Sequence, residues 1–302
     1  MPKLQKKDYL VIVGPTASGK SALAMQLAKD LQGEIINCDS VQLYQGFDIG
    51  SAKPSREDQE LIPHHLIDCV AAVQPFDARA FAETAEAVIQ NIQKRQRLPI
   101  IVGGNGLYLR ALWRENWHDL PKNEELRVEL GRLSNTGLLE RLEGLDPHRA
   151  AQLHQNDRFR LLRAVEIVTL LGGPMSSLEA PESLRASAYT VRVRCPRPQL
   201  LSRIEQRVEA MLASGLIEEV KLLLARGVSP DCKPMQSIGY AEVNRYLQGA
   251  ISRAQLPENM IIATRQYAKR QETWFNKQVF DAQWSTQDEE MTLLAELHKI
   301  WP

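Results

Sequence analysis

The stretch Gly14-Pro-Thr-Ala-Ser-Gly-Lys-Ser21 decides the fold class of this chain of 302 residues. It matches the P-loop pattern G-x-x-x-x-G-K-[ST] at every fixed position. Glycines let such a loop wrap closely around an anion, and its backbone N–H groups cradle a diphosphate together with the N-terminus of the next helix. Lys20 neutralises the terminal phosphate, and the hydroxyl of Ser21 suits a Mg²⁺ ligand. The predicted diphosphate-binding residues are Gly14, Pro15, Thr16, Ala17, Ser18, Gly19, Lys20 and Ser21.

The segments on either side of the P-loop indicate an α/β fold. Tyr9–Val13 is a short apolar run suited to a buried parallel strand, and residues 22–29 are good helix formers. Residues 34–37 and 98–102 predict two further strands, with a helix over residues 81–95 between them. Because strands alternate with helices, we expect a P-loop NTPase-like core with a doubly wound parallel sheet.

The region 117–185 has a different character, since Leu, Arg and Glu recur there at helical spacing without a strand candidate. Three breaks divide it into three predicted helices: Pro121, Asp146-Pro147 and Gly172-Gly173-Pro174. We therefore expect an all-helical insertion domain at 117–185. The catalytic core is then formed by residues 1–116 and 186–302, and it resumes with a strand at 189–195 and a long helix at 200–211.

Composition and charge narrow the class of protein. The chain carries 37 Lys and Arg against 37 Asp and Glu, and 44% of its residues are hydrophobic, which excludes a disordered chain. No apolar run approaches the roughly 18–20 residues that span a bilayer. The four cysteines lie far apart, so we expect a cytoplasmic protein without a disulfide framework or zinc site. Residues 185–280 hold 15 basic and 8 acidic side chains, which permits contact with phosphate backbones.

The acidic residues near the P-loop favour group transfer over ATP hydrolysis. A P-loop ATPase needs a carboxylate at the end of a second buried strand, but Gly103-Gly104-Asn105 follows the strand at 98–102. The acid at a strand end close to the P-loop is Asp39, after residues 34–37. A carboxylate there takes a proton from an acceptor held beside the phosphates, or it caps the next turn. Kinases of small metabolites also place an Asp there, so the transferred group stays open.

Further sequence blocks follow the P-loop in order, and together they are far more specific than the P-loop alone. They are Asp39-Ser-Val-Gln-Leu-Tyr44, Asp48-Ile-Gly-Ser-Ala-Lys-Pro54, His64-His-Leu-Ile-Asp68, Gly103-Gly-Asn-Gly-Leu-Tyr108, Arg160-Leu-Leu-Arg-Ala-Val-Glu166, Met235-Gln-Ser-Ile-Gly-Tyr240 and Ala263-Thr-Arg-Gln-Tyr-Ala-Lys-Arg-Gln-Glu-Thr-Trp274. Over residues 11–275 the chain resembles the bacterial tRNA dimethylallyltransferases, which are also called tRNA isopentenyltransferases.

The resemblance implies a Mg²⁺-dependent transfer of a dimethylallyl group from dimethylallyl diphosphate to N6 of the adenosine 3′-adjacent to the anticodon. The P-loop then holds the diphosphate of that donor and not ATP, and the product is N6-isopentenyladenosine. Asp39 matches the family's proposed general base, and Arg207 matches an arginine that contacts the departing pyrophosphate. Asn105 stands where the family usually has a threonine that contacts the substrate. The implied catalytic residues are Lys20, Asp39, Asn105 and Arg207.

The resemblance also implies partners and contacts. We expect a monomer that binds the tRNA anticodon stem-loop and dimethylallyl diphosphate, without membrane association. The residues that match tRNA contacts are Asp39, Ser40, Val41, Gln42, Asn105, Arg127, Phe159, Arg160, Arg163, Gln236, Gly239, Tyr240, Lys269, Arg270 and Trp274. Ala241 stands where many relatives carry Lys or Arg, which removes one phosphate contact.

Three other functions compete with this interpretation. A small-molecule P-loop kinase agrees with Lys20 and Asp39 but leaves the insertion and the basic, aromatic segment 265–277 unexplained. A prenyltransferase that acts on free adenine nucleotides would need no surface that binds an anticodon loop. A non-catalytic RNA-binding protein with a degenerate P-loop is disfavoured by the intact Lys20, Ser21 and Asp39.

Overall fold

The centre of the fold is a sheet of six parallel strands with the order β3-β2-β4-β1-β5-β6. The structure is a computed structural model that describes residues 7–114, 120–178, 183–286 and 290–301. The strands are β1 (Tyr9–Val13), β2 (Gly33–Cys38), β3 (His64–His65), β4 (Leu98–Gly103), β5 (Ala188–Arg194) and β6 (Ala282–Ser285). This parallel sheet confirms the predicted α/β fold.

Helices connect and cover the strands. They are α1 (Lys20–Asp30), α2 (Arg56–Leu61), α3 (Ala78–Lys94), α4 (Gly106–Leu112), α5 (Glu124–Leu130), α6 (Asn135–Leu145), α7 (Pro147–Ala150), α8 (Arg158–Leu171), α9 (Arg197–Ala213), α10 (Leu216–Ala225), α11 (Tyr240–Leu247), α12 (Leu256–Phe275) and α13 (Glu290–Leu297). None of the helices in the described ranges is long and apolar enough to cross a membrane.

The register of the central strands brings their carboxyl ends together. Val13 of β1 and Cys38 of β2 both pair with Gly103 of β4. The P-loop follows Val13, and Asp39 follows Cys38. The candidate site therefore lies at the carboxyl edge of the sheet, where ligands bind in open α/β folds. All residues of β1, β2 and β4 are buried, as expected for parallel strands that are covered on both faces.

The edge strands β3 and β6 were not predicted. β3 contains only His64 and His65, and β6 contains Ala-Gln-Trp-Ser, so neither forms an apolar run. Both strands exist because a neighbouring strand offers them backbone hydrogen bonds, with Ile35 pairing to His64 and Val191 pairing to Ala282. Such pairing depends on tertiary context, which local pattern does not report.

The chain divides into two compact units, Met1–Trp113 with Leu184–Pro302, and Arg114–Ser183. The predicted boundary between residues 116 and 117 lies outside the described residues. The second unit contains α5 to α8 around a leucine-rich core. The prediction of three helices there was wrong. Asp146-Pro147 is a break as expected, but two further breaks, at residues 131–134 and 151–157, separate α5 from α6 and α7 from α8.

Candidate active site

The P-loop conformation depends on its two fixed glycines. A Cβ on Gly14 would lie 2.7 Å from Ser18 Oγ and 2.9 Å from Val193 O, so only glycine fits against β5. Gly19 has a φ of 93°, in the left-handed region that glycine favours, and it directly precedes α1. The N-terminus of α1 is thereby held at the mouth of the loop, where its free N–H groups favour an anion.

Lys20 is the first residue of α1, and its side chain folds back over the P-loop. Nζ donates a hydrogen bond to Pro15 O at 3.3 Å. Burial, together with the positive charge of Arg207, lowers the pKa of Lys20 to about 8, although the charge of Asp39 opposes the shift. Because a bound anion would stabilise the ammonium form, the site has an electrostatic preference for a negatively charged ligand.

Asp39 is held directly after β2 by its own neighbours. The Asp39 N–H donates to Asn37 Oδ1 at 3.1 Å, and Asp39 Oδ1 accepts from the N–H groups of Val41 at 2.8 Å and Gln42 at 3.4 Å. The carboxylate therefore does cap the next turn, but with Oδ1 alone. Within the described ranges, no donor hydrogen-bonds Oδ2. Capping and proton acceptance are thus compatible, since a different oxygen serves each.

Arg207 reaches the site from the middle of α9. Its Nη2 donates to Ser51 O at 3.3 Å. The same carbonyl and that of Ala52 each accept a hydrogen bond from Gln42 Nε2 at 3.1 Å. Burial lowers the pKa of Arg207, and Asp39 acts in the opposite direction. Lys20 and Arg207 thus bring two cations into one site, which suits a multiply charged anion.

Two adjoining cavities meet at these side chains. The first, of about 640 Å³, is lined by Lys20, Ser21, Asp39 and Arg207 among others. The second, of about 260 Å³, extends to residues 236–239, which precede α11, and to α12. Thr16, Asp39, Ser51, Arg207 and Tyr267 line both cavities. The predicted base and the predicted pyrophosphate contact therefore stand where two substrates entering from different cavities would meet.

The oxygen donors of the first cavity fit a Mg²⁺ ion that is carried by a diphosphate. No group of three or more His, Cys, Asp or Glu side chains in the described part of the chain is arranged to hold a metal. Mg²⁺ commonly binds one or two protein oxygens, keeps several waters, and takes its other ligands from substrate phosphates. Ser21, which lines the cavity beside Lys20, supplies an oxygen of that kind.

Comparison with known proteins settles the family. Residues 42–278 match the IPP transferase family. A tRNA dimethylallyltransferase 1 from Trichlorobacter lovleyi is 46% identical over 281 residues, which cover 90% of this chain and 92% of that protein. The chain belongs to the IPP transferase family. This result confirms the resemblance drawn from the sequence blocks.

Solved structures that are similar to this chain are also transferases of this kind. The tRNA isopentenylpyrophosphate transferase from Bacillus halodurans has a TM-score of 0.71 and 36% identity, covering 98% of this chain and 95% of that one. A eukaryotic dimethylallyltransferase acting on tRNA has a TM-score of 0.74 and 28% identity, covering 90% of this chain and 70% of that one. The P-loop NTPase-like core is thus confirmed for this member of the family.

The predicted tRNA contacts of the larger unit of this IPP transferase lie in different surroundings. Ser40, Val41, Gln236, Gly239 and Arg270 line the second cavity, together with Asp39. Gln42 lines the first cavity, and Lys269 is exposed on α12. Tyr240 is buried, and its hydroxyl donates to Glu219, while Trp274 covers Gly106. A tRNA contact by any of these residues stays a prediction.

Asn105, where the resemblance implies a threonine in the family, has a structural role. Its Oδ1 accepts from the N–H groups of Leu107 at 3.2 Å and Tyr108 at 3.3 Å and so caps α4. Asn105 lines neither of the two cavities described above. The predicted catalytic and tRNA-contacting roles of Asn105 therefore gain no support from the geometry, because the capping oxygen is already engaged.

In the helical unit, two of the predicted tRNA contacts are engaged internally. Arg127 Nε and Arg163 Nη1 donate to Glu166 Oε2 at 3.0 Å and 2.6 Å, and Glu166 is fully buried. Arg163 also donates to the carbonyl oxygens of residues 120 and 121. By contrast, Phe159 is 83% exposed and Arg160 is exposed beside it. An exposed aromatic ring next to a guanidinium is suited to stacking on a base.

Glu219 is a site-supporting residue that the sequence analysis missed. Its carboxylate accepts hydrogen bonds from three consecutive backbone N–H groups, those of Asp48, Ile49 and Gly50, at 2.8–3.3 Å. The loop after these residues presents the Ser51 carbonyl to Arg207. The block 48–54 marks this loop in the sequence but does not indicate Glu219. In the structure, Gly50 packs on the ring of Tyr240, where a Cβ would lie 2.5 Å away, and the hydroxyl of Tyr240 donates to Glu219.

Proposed function

We propose that this protein transfers a dimethylallyl group from dimethylallyl diphosphate to N6 of the adenosine 3′-adjacent to the anticodon of tRNA. The observation that carries the proposal is the meeting of two cavities at Asp39 and Arg207. The cavity with the P-loop suits the diphosphate donor. The other cavity, beside exposed cations of α12, suits an extruded base, as enzymes that modify a base must take it out of the stack.

The charged groups match the charge changes of such a transfer. The N6 amine attacks C1 of the dimethylallyl group, the C1–O bond breaks, and pyrophosphate leaves with the bonding electron pair. The proton that N6 loses passes to Asp39 Oδ2, the oxygen that is not engaged in capping. Negative charge that develops on the leaving oxygen is stabilised by Lys20 and Arg207, whose burial strengthens the interaction.

Mg²⁺ is the proposed cofactor. Ser21 would hold it together with oxygens of the donor, and the ion would neutralise part of the diphosphate charge. We also propose that the anticodon stem-loop is the portion of tRNA that is recognised, and that the protein acts in the cytoplasm on that substrate. A monomer suffices, because Lys20, Asp39 and Arg207 meet within one chain.

Donor choice provides the first test. No carboxylate follows β4, where Gly104 and Asn105 stand, so an attacking water molecule would lack the acidic residue that P-loop ATPases use. We expect calorimetry to show binding of dimethylallyl diphosphate in the presence of Mg²⁺, and phosphate-release assays to show no meaningful ATP hydrolysis. Tight ATP binding with turnover would instead support a small-molecule kinase.

The salt dependence of tRNA binding tests the role of α12. Lys269 and Arg270 are exposed on that helix, and each phosphate contact contributes roughly 0.7–0.9 to the slope of log affinity against log salt. We expect the double variant Lys269→Ala/Arg270→Ala to flatten the slope by roughly one to two units. The matched control Lys94→Ala/Arg226→Ala removes two exposed cations elsewhere and should leave the slope unchanged. Equal slopes for wild type and the α12 variant would contradict this role.

A further inference from the structure

The side chain of Gln271 joins three separate parts of the larger unit. It is 7% exposed, lies near the C-terminal end of α12 and lines the first cavity. Its Oε1 accepts a hydrogen bond from the Thr16 N–H of the P-loop at 2.8 Å. Its Nε2 donates to Gly104 O, directly after β4, at 3.1 Å. One carboxamide therefore satisfies a P-loop amide and a strand-end carbonyl at the same time.

The carboxamide of Gln271 packs directly against the backbone of Gly104. A Cβ on Gly104 would lie 2.2 Å from Gln271 Nε2 and 3.1 Å from Gly14 O. Glycine at position 104 thus allows α12 to approach the P-loop closely enough for the side chain to bridge. A buried polar side chain whose donor and acceptor are both paired with backbone groups fixes those groups firmly, because breaking either bond leaves an unsatisfied polar atom.

The residues that precede Gln271 on α12 face the candidate site and the solvent. Lys269 and Arg270 immediately before it are exposed, and Tyr267, one turn earlier, lines both cavities. Successive helical residues point about 100° apart, so the same turn can present cations outward and Gln271 inward. The helix that would meet tRNA is therefore bonded to the loop that would hold the diphosphate.

We propose that Gln271 is a positioning residue that holds the P-loop in register with α12, so that the donor and the acceptor meet correctly at Asp39. The reaction named in this proposal rests on the proposed function, whereas the bridge itself does not. Thr16 offers its N–H to Gln271 and not to the diphosphate, so the anion is held by the amides later in the loop and by Lys20.

Three variants of the full chain test the proposal. Gln271→Met keeps the length of the side chain and removes both hydrogen bonds. Gln271→Glu keeps an acceptor for the Thr16 N–H and loses the donor to Gly104. Gln266→Met changes an exposed residue of the same helix and serves as the matched control. Each variant is first checked by circular dichroism and thermal unfolding.

Amide hydrogen exchange of the peptide that contains the P-loop is the main measurement, made without ligand. We expect exchange to become roughly tenfold faster in Gln271→Met, as for loss of one buried hydrogen bond. Exchange should stay slow in Gln271→Glu and in the control. In transfer assays we expect Gln271→Met to lower kcat and raise the KM for the donor by roughly tenfold each, with unchanged tRNA affinity.

Unchanged P-loop exchange in Gln271→Met would overturn the proposal, even if transfer were slowed, because Gln271 would then act on the substrate directly. Equal acceleration of exchange in Gln266→Met would overturn it too, since the effect would be general destabilisation. If the wild type transfers no prenyl group but exchange follows the expected pattern, the bridge stands and the proposed function fails. The two ideas are therefore separable.

Discussion

Replacing Asp39 with asparagine is expected to lower the turnover rate by roughly two to four orders of magnitude while the protein still binds dimethylallyl diphosphate and tRNA. The N6 lone pair is delocalised into the adenine ring, so the amine is a poor nucleophile and must lose its proton as the C–N bond forms. A carboxylate within reach accepts that proton, and a carboxamide does not. Single-turnover kinetics and separate binding measurements distinguish the two effects.

The hydrogen bonds of Asp39 allow the Asp39→Asn substitution to remove the basicity of the side chain without removing its cap. Oδ1 accepts from the N–H groups of Val41 and Gln42, and the carbonyl oxygen of asparagine can accept the same bonds. The cap survives, and only the basicity at Oδ2 is lost. A matched control is Asp77→Asn, because Asp77 caps α3 through the same kind of bonds to Arg79 and Ala80. Near-normal turnover of Asp39→Asn would show that Asp39 only caps the turn.

Replacing Lys20 with methionine is expected to lower kcat/KM for the donor by roughly 10²–10³-fold, as for removal of a group that stabilises developing negative charge. Methionine keeps the length and apolar stem of lysine, so the P-loop should fold normally. Lys94→Met, in the last turn of α3, removes an exposed lysine and should leave kcat/KM unchanged. A small effect at Lys20 would mean that the P-loop does not hold the diphosphate.

The pH profile gives a second readout of Lys20. Burial and the nearby charge of Arg207 lower the pKa of Lys20 to about 8 in the free protein, so the fraction of ammonium falls as the pH rises through that value. Only the charged form attracts the diphosphate, and kcat/KM for the donor should therefore decline above about pH 8. The Lys20→Met variant should lose this decline. Its persistence in the variant would assign the titration to another group.

Local patterns and fixed motifs predicted the parts of the molecule that depend on neighbouring residues. β1 has the predicted bounds Tyr9–Val13, because a short apolar run before a P-loop has few alternatives. The family resemblance was also predicted from local sequence, because its blocks combine many fixed residues, and it is confirmed. Asp39 was placed correctly at the end of β2, but only its hydrogen bonds show that Oδ1 caps the next turn and leave Oδ2 for the proposed base.

Interactions between distant parts of the chain escaped prediction. Thr16 and Gln271 lie 255 positions apart, and no spacing rule relates them. Glu219 likewise accepts hydrogen bonds from a loop about 170 positions earlier. In the sequence it has no feature that distinguishes it from other acidic residues of a helix. Arg127 is a further example, since nothing in its local sequence indicates the buried Glu166, 39 positions later, to which it donates a hydrogen bond. In each case tertiary packing decides which group a polar side chain meets.

Mass spectrometry of tRNA shows directly whether the protein transfers a prenyl group and which nucleoside receives it. Unmodified tRNA is incubated with the protein, Mg²⁺ and dimethylallyl diphosphate, then digested to nucleosides and to anticodon-loop fragments. We expect one added dimethylallyl group, located on the adenosine 3′-adjacent to the anticodon and absent when Asp39→Asn replaces the wild type in a short incubation. A tRNA that stays unmodified with folded wild-type protein, or a prenyl group found only on free adenine nucleotides, would contradict the proposed function.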